Sequence, residues 1–432
     1  MATDLKVQFF SHLNGLALGN NWGDLIRLLD TCLVNGLPFT SVMAASIDAN
    51  GDINLTFFAA HNAVLIQIVE LSGFPNISVD GITMSVNGKY RVKGAPNTTQ
   101  LILKGNIARI VENPPIVTFS SFGSAKLAAL GYDIIYRDAG DVKRVYRAKN
   151  PRSEHPFIRV DETISDGTNT YNSAYAKSAM VGLIENMAHI DDYQDTNKLQ
   201  LPLDTTDFKK NWKITGTGLN VVRGWSKWHW ATDRGYEILE SSIPQNGNRP
   251  FTLVGDSDAF YLLYNSSTVG SKRLNGCGLF KNSLENNLIP NWFLMSCVSN
   301  NNASQYISTA STGFMPFFKS DVASRFFTTR YDMLNRLSNS IDAVPLLPNF
   351  SSGGTNIFSQ TNVPALEIPF YDSNAMLRGS LHHVHFAGKN ISGFTETKPI
   401  LADNSMYVAD SAYIDSGDSF VGGLYFYLGE LE

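Results

Sequence analysis

The sequence RPFTLVGDSDAFYLLY, residues 249–264, indicates the organisation of the chain most directly. Two short apolar runs, 251–254 and 260–264, flank the turn-forming residues Gly255-Asp256-Ser257-Asp258. Glycine tolerates positive φ, and Asp and Ser side chains bond to nearby backbone groups, so this order predicts a β-hairpin. Pro250 lacks a backbone donor and is expected at the start of the first strand. Because both faces of each run are apolar, we expect the hairpin in the centre of a sheet that is covered on both sides.

The composition of the whole chain agrees with this hairpin. Only 17% of the 432 residues are charged, and 34 glycines supply many turns between short apolar runs. Such a composition is typical of β-rich proteins. The sequence therefore predicts a mainly β fold, built from several β-sandwich-like or β-rich modules with a few short helices, including one N-terminal amphipathic helix.

The net charge of −5 and the isoelectric point of about 5.9 exclude a broad electrostatic attraction to nucleic acid, so no direct nucleic-acid partner is expected. The first residues, MATDLKV, lack the basic start and apolar stretch of a signal peptide. No run approaches the roughly 20 apolar residues of a membrane span. We therefore expect synthesis in a cytoplasm and no membrane partner.

No cofactor is predicted. The chain has no Gly-x-Ser-x-Gly elbow, and Gly270-Ser271-Lys272-Arg273 lacks the preceding glycines of a phosphate-binding loop. Its three cysteines, Cys32, Cys277 and Cys297, give neither a disulfide framework nor a zinc-binding pattern. They are expected to be small buried thiols.

A helix is predicted from Trp22 to Val34. Its apolar residues follow the spacing of one helical stripe: Leu25, Leu28, Leu29, Cys32 and Leu33. Asn20 or Asn21 is expected to cap its start, and Asn35-Gly36 to end it. The stripe must pack on the following β domain or on a neighbouring subunit, which makes Leu25 and Leu29 candidate interface residues.

Three regions follow from the turn signals. Residues 1–36 form the N-terminal segment with the helix, and residues 37–112 read as a small β-sandwich-like domain with turns about every ten residues. Asn113-Pro114-Pro115 marks the boundary, and residues 113–432 form a larger β-rich domain or domains.

Within the larger region some segments are ambiguous. Residues 175–187 fit a helix or a strand, and the β-rich neighbourhood favours a strand. Residues 157–162 alternate apolar and charged side chains, as a half-exposed strand does. Short helices are predicted over 124–130 and 320–334, and a long surface loop over 299–312.

Several short motifs follow one another along the chain in an order that resembles that of a known class of proteins. These motifs are Leu33 to Gly36, His61-Asn62, residues 86–92, 143–147, 157–161, 249–256 and 377–381. Over most of the chain their order resembles that of virion structural proteins of tailed bacteriophages. The resemblance implies a non-enzymatic component of the tail, baseplate or neck and collar. It also implies assembly in an infected bacterium, other virion proteins as partners and a homo-oligomer, but no active site.

The segment Trp225-Ser226-Lys227-Trp228-His229-Trp230 is the leading binding candidate. On a strand Trp228 and Trp230 point the same way, and flat rings beside Arg223 and Lys227 suit an interface anchor or stacking on sugars. Burial in the core is the alternative for all three tryptophans. Two classes of function stay open: a structural virion protein, and a receptor- or glycan-binding tail protein with or without glycan hydrolase activity.

Two further clusters are weighed against simpler interpretations. On a strand His383 and His385 share a face and, with Asp372 or another carboxylate, could offer ligands for zinc or a similar ion, but a surface strand with polar imidazoles is favoured and no metal site is predicted. The carboxylate pairs Asp256/Asp258 and Asp191/Asp192 suit a glycosidase acid and base. Turn formation by Asp explains both pairs without catalysis.

Overall fold

A computed structural model describes residues 4–79, 81–105, 116–233, 238–265, 267, 272–283, 290–298, 306–307, 324–330, 340–347, 365–389, 397–402, 404–413 and 421–431. Strands make up 50% of the structure and helices 6%, so the predicted mainly β class is confirmed. The long loop predicted over 299–312 lies outside the described residues, except for the short strand at 306–307.

Between residues 4 and 127, the described residues (4–79, 81–105 and 116–127) include the α-helix and eleven strands. In chain order these are β1 (Gln8–Ser11), α1 (Asp24–Leu29), a π-helical segment (Asp30–Asn35), β2 (Leu37–Pro38), β3 (Val42–Ile47), β4 (Ile53–Phe57), β5 (Ile68–Ser72), β6 (Ile77–Val79), β7 (Ile82–Met84), β8 (Gly88–Asn97), β9 (Gln100–Leu103), β10 (Val117–Thr118) and β11 (Ser124–Leu127). Eight of them form one antiparallel sheet in the order β10-β3-β4-β9-β8-β5-β11-β2, here called the first sheet. The first sheet therefore includes strands beyond residue 112, the predicted end of the small β-sandwich-like domain.

The remaining strands follow in chain order. They are β12 (Tyr132–Arg137), β13 (Lys143–Ala148), β14 (Phe157–Asp161), β15 (Lys177–Ile184), β16 (Gln200–Leu201), β17 (Ile214–Thr215), β18 (Val222–Arg223), β19 (Ser226–Ala231), β20 (Ile238–Leu239), β21 (Phe251–Gly255), β22 (Ala259–Tyr264), β23 (Arg273–Leu279), β24 (Lys281–Asn282), β25 (Trp292–Val298), β26 (Tyr306–Ile307), β27 (Ser324–Thr328), β28 (Ile341–Pro345), β29 (Leu366–Asp372), β30 (Leu377–Lys389), β31 (Lys398–Ala402), β32 (Ser405–Tyr413) and β33 (Val421–Glu430). Within the described residues, nineteen strands, including β1, join in one network of antiparallel pairs.

The predicted hairpin is confirmed as β21 and β22, and it is flanked by β1 on one side and by β23 on the other. Phe251 pairs with Tyr264 and Gly255 with Phe260. Every residue of both strands is buried. Alternate side chains enter two different cores: Leu262 packs with the helix and the first sheet, whereas Tyr261 packs with β29, β30, β32 and β33. The hairpin is therefore covered on both faces, as its doubly apolar sequence predicts.

The N-terminal strand β1 joins the first sheet to the central network. Its backbone pairs with β21, and its side chains Phe9 and Phe10 enter the two opposite cores. The amide of Gln8 donates to Ile68 O at 2.8 Å and Ala128 O at 3.0 Å. These bonds fix the first sheet against the centre, because buried carbonyls need donors.

Arg91 makes a second connection, from β8 to the C-terminal strand. Its guanidinium is buried and donates to the backbone oxygens of Ile66 and Leu428, each at 2.8 Å. Burial lowers the pKa of Arg91 to about 10. The charge is therefore held by backbone carbonyls rather than by water, so β8 and β33 are bonded through one side chain.

The predicted N-terminal helix is confirmed, with α1 and the π-helical segment together spanning Asp24 to Asn35. Gly36 ends it with a φ of 74°, as predicted. The expected cap at Asn20 or Asn21 is wrong, because the N-cap is Gly23 and the buried carboxylate of Glu162 accepts from the backbone N–H groups of Gly23 and Ile26. A side chain 139 residues away therefore caps the helix.

The apolar stripe of the helix is buried within the chain. The side chains of Leu25 and Leu29 are fully buried in the core shared with the first sheet. On its other side Asp30 accepts from Tyr146 Oη at 2.7 Å and from Arg144 Nε at 3.1 Å. The helix thus packs on its own chain, and the exposed interface role expected for Leu25 and Leu29 does not match their burial.

Other predictions are corrected by strand pairing. Lys177–Ile184 is a strand, as favoured over a helix. The short helix predicted over 124–130 is wrong, because Ser124–Leu127 pairs with β5 and β2. The helix predicted over 320–334 is wrong as well, because Ser324–Thr328 pairs with β25. In both segments partners distant in sequence override the local pattern.

Candidate functional site

Two neighbouring cavities form a polar groove on the segment between β13 and β19. The first measures about 350 Å³ and the second about 440 Å³. Both are lined by Lys213 and Thr215, so they share a wall. We call them the first and second groove cavities. Each lies within the usual size range of small-molecule sites.

A stack of aromatic rings and a guanidinium supports the first cavity. The Arg159 guanidinium carbon lies 4.5 Å from the Tyr193 ring centre and 4.4 Å from that of Trp212. Its nitrogens reach Asp161 Oδ2 at 2.9 Å and Asp191 Oδ1 at 3.2 Å. These contacts explain why β14 is buried along its whole length, whereas its alternating charges predicted a half-exposed strand.

Ion pairs shape the second cavity. Lys210 Nζ lies 2.7 Å from Asp204 Oδ2, and Lys213 Nζ lies 2.7 Å from both carboxylate oxygens of Asp207. The bond from Lys210, followed by that of the Thr206 hydroxyl, holds the pKa of Asp204 well below its usual range. Asp204 is therefore ionised at neutral pH, with its oxygens directed by fixed donors.

The two cavities together carry equal numbers of acidic and basic side chains. The carboxylates come from Asp161, Asp166, Asp204 and Asp207, and the amines from Lys143, Lys209, Lys210 and Lys213. Hydroxyl and amide groups of Thr163, Ser165, Gln194, Thr206 and Thr215 add further donors and acceptors. The groove can thus form many hydrogen bonds without favouring either sign of charge.

Trp225 lies at this groove and the other two candidate tryptophans do not. Its half-buried ring is 4.3 Å from Lys210 Nζ, which lines the second cavity. Its indole N–H is without a hydrogen-bond partner among the described residues. Of the three candidate tryptophans, Trp225 is therefore the one that borders the groove, and the Lys210 ammonium lies over its ring.

Trp228 and Trp230 are buried in the core on β19, which corresponds to the alternative interpretation. Trp228 donates to Met295 O at 2.8 Å. Their neighbours in the strand are buried too: Lys227 and His229 both contact Glu240 Oε1. Burial lowers the pKa of His229 to about 4. Both faces of β19 are covered, so neither tryptophan is available as an exposed anchor.

The carboxylates of the central hairpin turn are fully engaged. Asp256 Oδ1 accepts from the backbone N–H groups of Asp258 and Ala259, and its Oδ2 lies 3.0 Å from His383 Nε2. Asp258 lies 2.8 Å from His155 Nε2 and accepts from Arg152 at 3.1 Å. These partners hold the pKa of Asp258 well below its usual range. A carboxylate held ionised in this way is unsuited to act as a general acid.

The two carboxylates of the second pair, Asp191 and Asp192, contact different partners. Asp191 contacts Arg159, as described above, whereas Asp192 accepts from the backbone N–H of His189 at 2.9 Å and from Lys198 at 3.1 Å. Backbone bonds, that from Ala188 first, lower the pKa of Asp192. Turn formation, the simpler interpretation at the sequence level, accounts for these bonds.

The histidine segment does not assemble the expected metal ligands. His383 has a φ of 62°, which interrupts the alternation of β30, and its ring faces Asp256. His385 packs against the rings of Tyr407 and Tyr427, while Asp372 pairs with Arg378 at 3.4 Å. Within the described residues no group of three or more His, Cys, Asp or Glu side chains is placed to hold a metal ion.

Two large apolar side chains are exposed where β3 and β4 pair in the first sheet. Phe58 is 74% exposed and Met43 55% exposed. Met43 occupies a bulge between Val42 and Ala44, and the Phe58 N–H donates to Ser41 O on the neighbouring strand at 2.9 Å. Sequence reasoning missed this pair, because alternation in β3 is interrupted by the bulge.

The three cysteines are buried, as predicted. No helix in the described part of the chain is long and apolar enough to cross a membrane.

No protein-family model matches the sequence, and a search of curated proteins finds no significant match.

Proposed function

We propose that this chain is a non-enzymatic structural component of a tailed bacteriophage virion, at the tail, baseplate or neck. In the infected cell, the chain binds other virion proteins and further copies of itself as the particle assembles. The order of motifs from Leu33 to Leu381 supports this proposal. The mainly β fold, in which β1 and Arg91 bond distant parts of the chain, suits a rigid building block.

The exposed pair Met43 and Phe58 is the observation that carries the protein-binding part of the proposal. Large exposed apolar side chains lose contact with water when a partner covers them, which favours association. Phe and Met are also enriched at the centres of protein interfaces. The pair replaces Leu25 and Leu29 as the expected contact, because those leucines are buried inside the chain.

The test is the mass of the purified chain by light scattering, alone and mixed with tail and neck proteins of a tailed phage. We expect either a ring-sized oligomer or a monomer that assembles on those proteins. The double variant Met43→Ser/Phe58→Ser should lose assembly, and its stability should stay within about 0.5 kcal/mol of the parent because both side chains are exposed.

Leu219→Ser is the matched control, since Leu219 is 71% exposed but lies away from the first sheet. It should assemble like the parent. A parent chain that stays monomeric and ignores the virion proteins would contradict the structural role. Normal assembly of the Met43/Phe58 variant would contradict the assignment of the contact.

A further inference from the structure

We infer that the polar groove between β13 and β19 binds a neutral oligosaccharide. The inference goes beyond the structural role and does not depend on it. It rests on the two groove cavities, their charge balance and the contacts that hold their polar side chains in place.

The charge balance selects the class of ligand. Four aspartates and four lysines line the groove, so it offers no excess of either charge. A site for nucleic acid needs an excess of Lys and Arg along the phosphate backbone. A polyhydroxylated ligand instead needs closely spaced donors and acceptors, which the ion pairs, hydroxyls and the Gln194 amide provide.

The groove also holds its polar groups in place. Asp161 is fixed by Arg159, whose guanidinium packs against the neighbouring rings of Tyr193 and Trp212. The Lys213 and Asp207 side chains meet through two contacts of 2.7 Å on the wall between the cavities. Groups held before binding lose less conformational entropy on contact with a ligand.

The shared wall indicates a ligand of more than one sugar ring. Lys213 and Thr215 line both cavities, so a chain lying in one continues past them into the other. Trp225 packs against Lys210, a lining residue of the second cavity, with the Lys210 ammonium 4.3 Å from the centre of its ring. We assign one ring of the ligand to each cavity.

The experiment uses the full chain on a printed array of neutral and acidic bacterial oligosaccharides. The strongest neutral ligand is then titrated by calorimetry. Two variants test the groove: Gln194→Ala/Lys209→Ala, which removes two exposed groups from the first cavity, and Thr215→Val, which removes the hydroxyl from the shared wall. Lys149→Ala, an exposed lysine elsewhere, is the control.

We expect binding to neutral oligosaccharides, weakened at least about tenfold in Gln194→Ala/Lys209→Ala and unchanged in the control. Thr215→Val should weaken a two-ring ligand and have less effect on a single sugar. All variants should keep the parent's circular dichroism and its assembly with virion proteins. No binding on the array, preference for acidic glycans, or equal affinity of parent and groove variants would each overturn the inference.

Discussion

The capping of the helix by Glu162 predicts an unusual dependence of stability on pH. Burial raises the pKa of Glu162 to about 7, from an ordinary value of 4.5. The folded state therefore binds this proton more tightly than the unfolded chain. The resulting contribution to stability is complete below about pH 4.5 and is lost as the pH rises to about 7. Between pH 5 and pH 8 the loss amounts to about 2 to 3 kcal/mol.

The variant Glu162→Gln isolates this contribution, because glutamine does not titrate. We expect the free energy of unfolding of the parent, taken relative to that of the variant, to be about 2 to 3 kcal/mol higher at pH 5 than at pH 8. Urea unfolding at both pH values measures it, with the first cooperative transition as the readout. Glu70→Gln, at a partly exposed carboxylate, is the control.

A parent-to-variant difference that is the same at both pH values would refute this reasoning. A shift of the opposite sign would show that the bonds from Gly23 and Ile26 outweigh burial and keep Glu162 ionised.

Two further predictions concern the core and the central turn. Trp230→Ala should reduce the free energy of unfolding by about 3 to 5 kcal/mol, because the side chain is fully buried; urea titration measures this, and a loss under about 1 kcal/mol would contradict its core position. Asp258→Asn should lower stability at pH 7 by about 1 to 3 kcal/mol, because His155 and Arg152 lose an ionised partner. Since the pKa of Asp258 is depressed, its contribution to stability is present above about pH 4 and is lost as the pH falls further. The free energies of unfolding of parent and variant should therefore converge in acid. Unfolding midpoints at pH 7 and pH 3 test this, and a difference that grows in acid would disprove it.

The sequence predicts most reliably what is decided within a few residues. The hairpin at 251–264 and the helix stripe at Leu25 and Leu29 follow from local apolar patterns, and the structure confirms both elements. The pattern at Leu25 and Leu29 shows that a face must be covered, but it does not identify what covers it. The first sheet and the central strands of the same chain cover it.

What the sequence does not predict depends on distant partners. Arg159 lies in a charged, alternating segment, yet it is buried because Tyr193 and Trp212 stack on it from later loops. The groove has the same origin, since its lining residues run from Lys143 to Gly224 and converge only after folding. Trp225 gave the one local signal for it, as an aromatic residue followed closely by charged ones.

The pairing of β1 with β21 also sets the timing of folding on the ribosome. Gln8 and Gly255 are paired in the finished sheet, but they leave the ribosome at very different times. At about 5 to 20 residues per second, β1 waits roughly 12 to 50 s for its partner strand to be synthesised. During that interval Phe9 lacks most of the core that later encloses it, because most members of that core lie between Val254 and Leu428. The nascent chain therefore carries an aromatic side chain that chaperones can bind before this core exists.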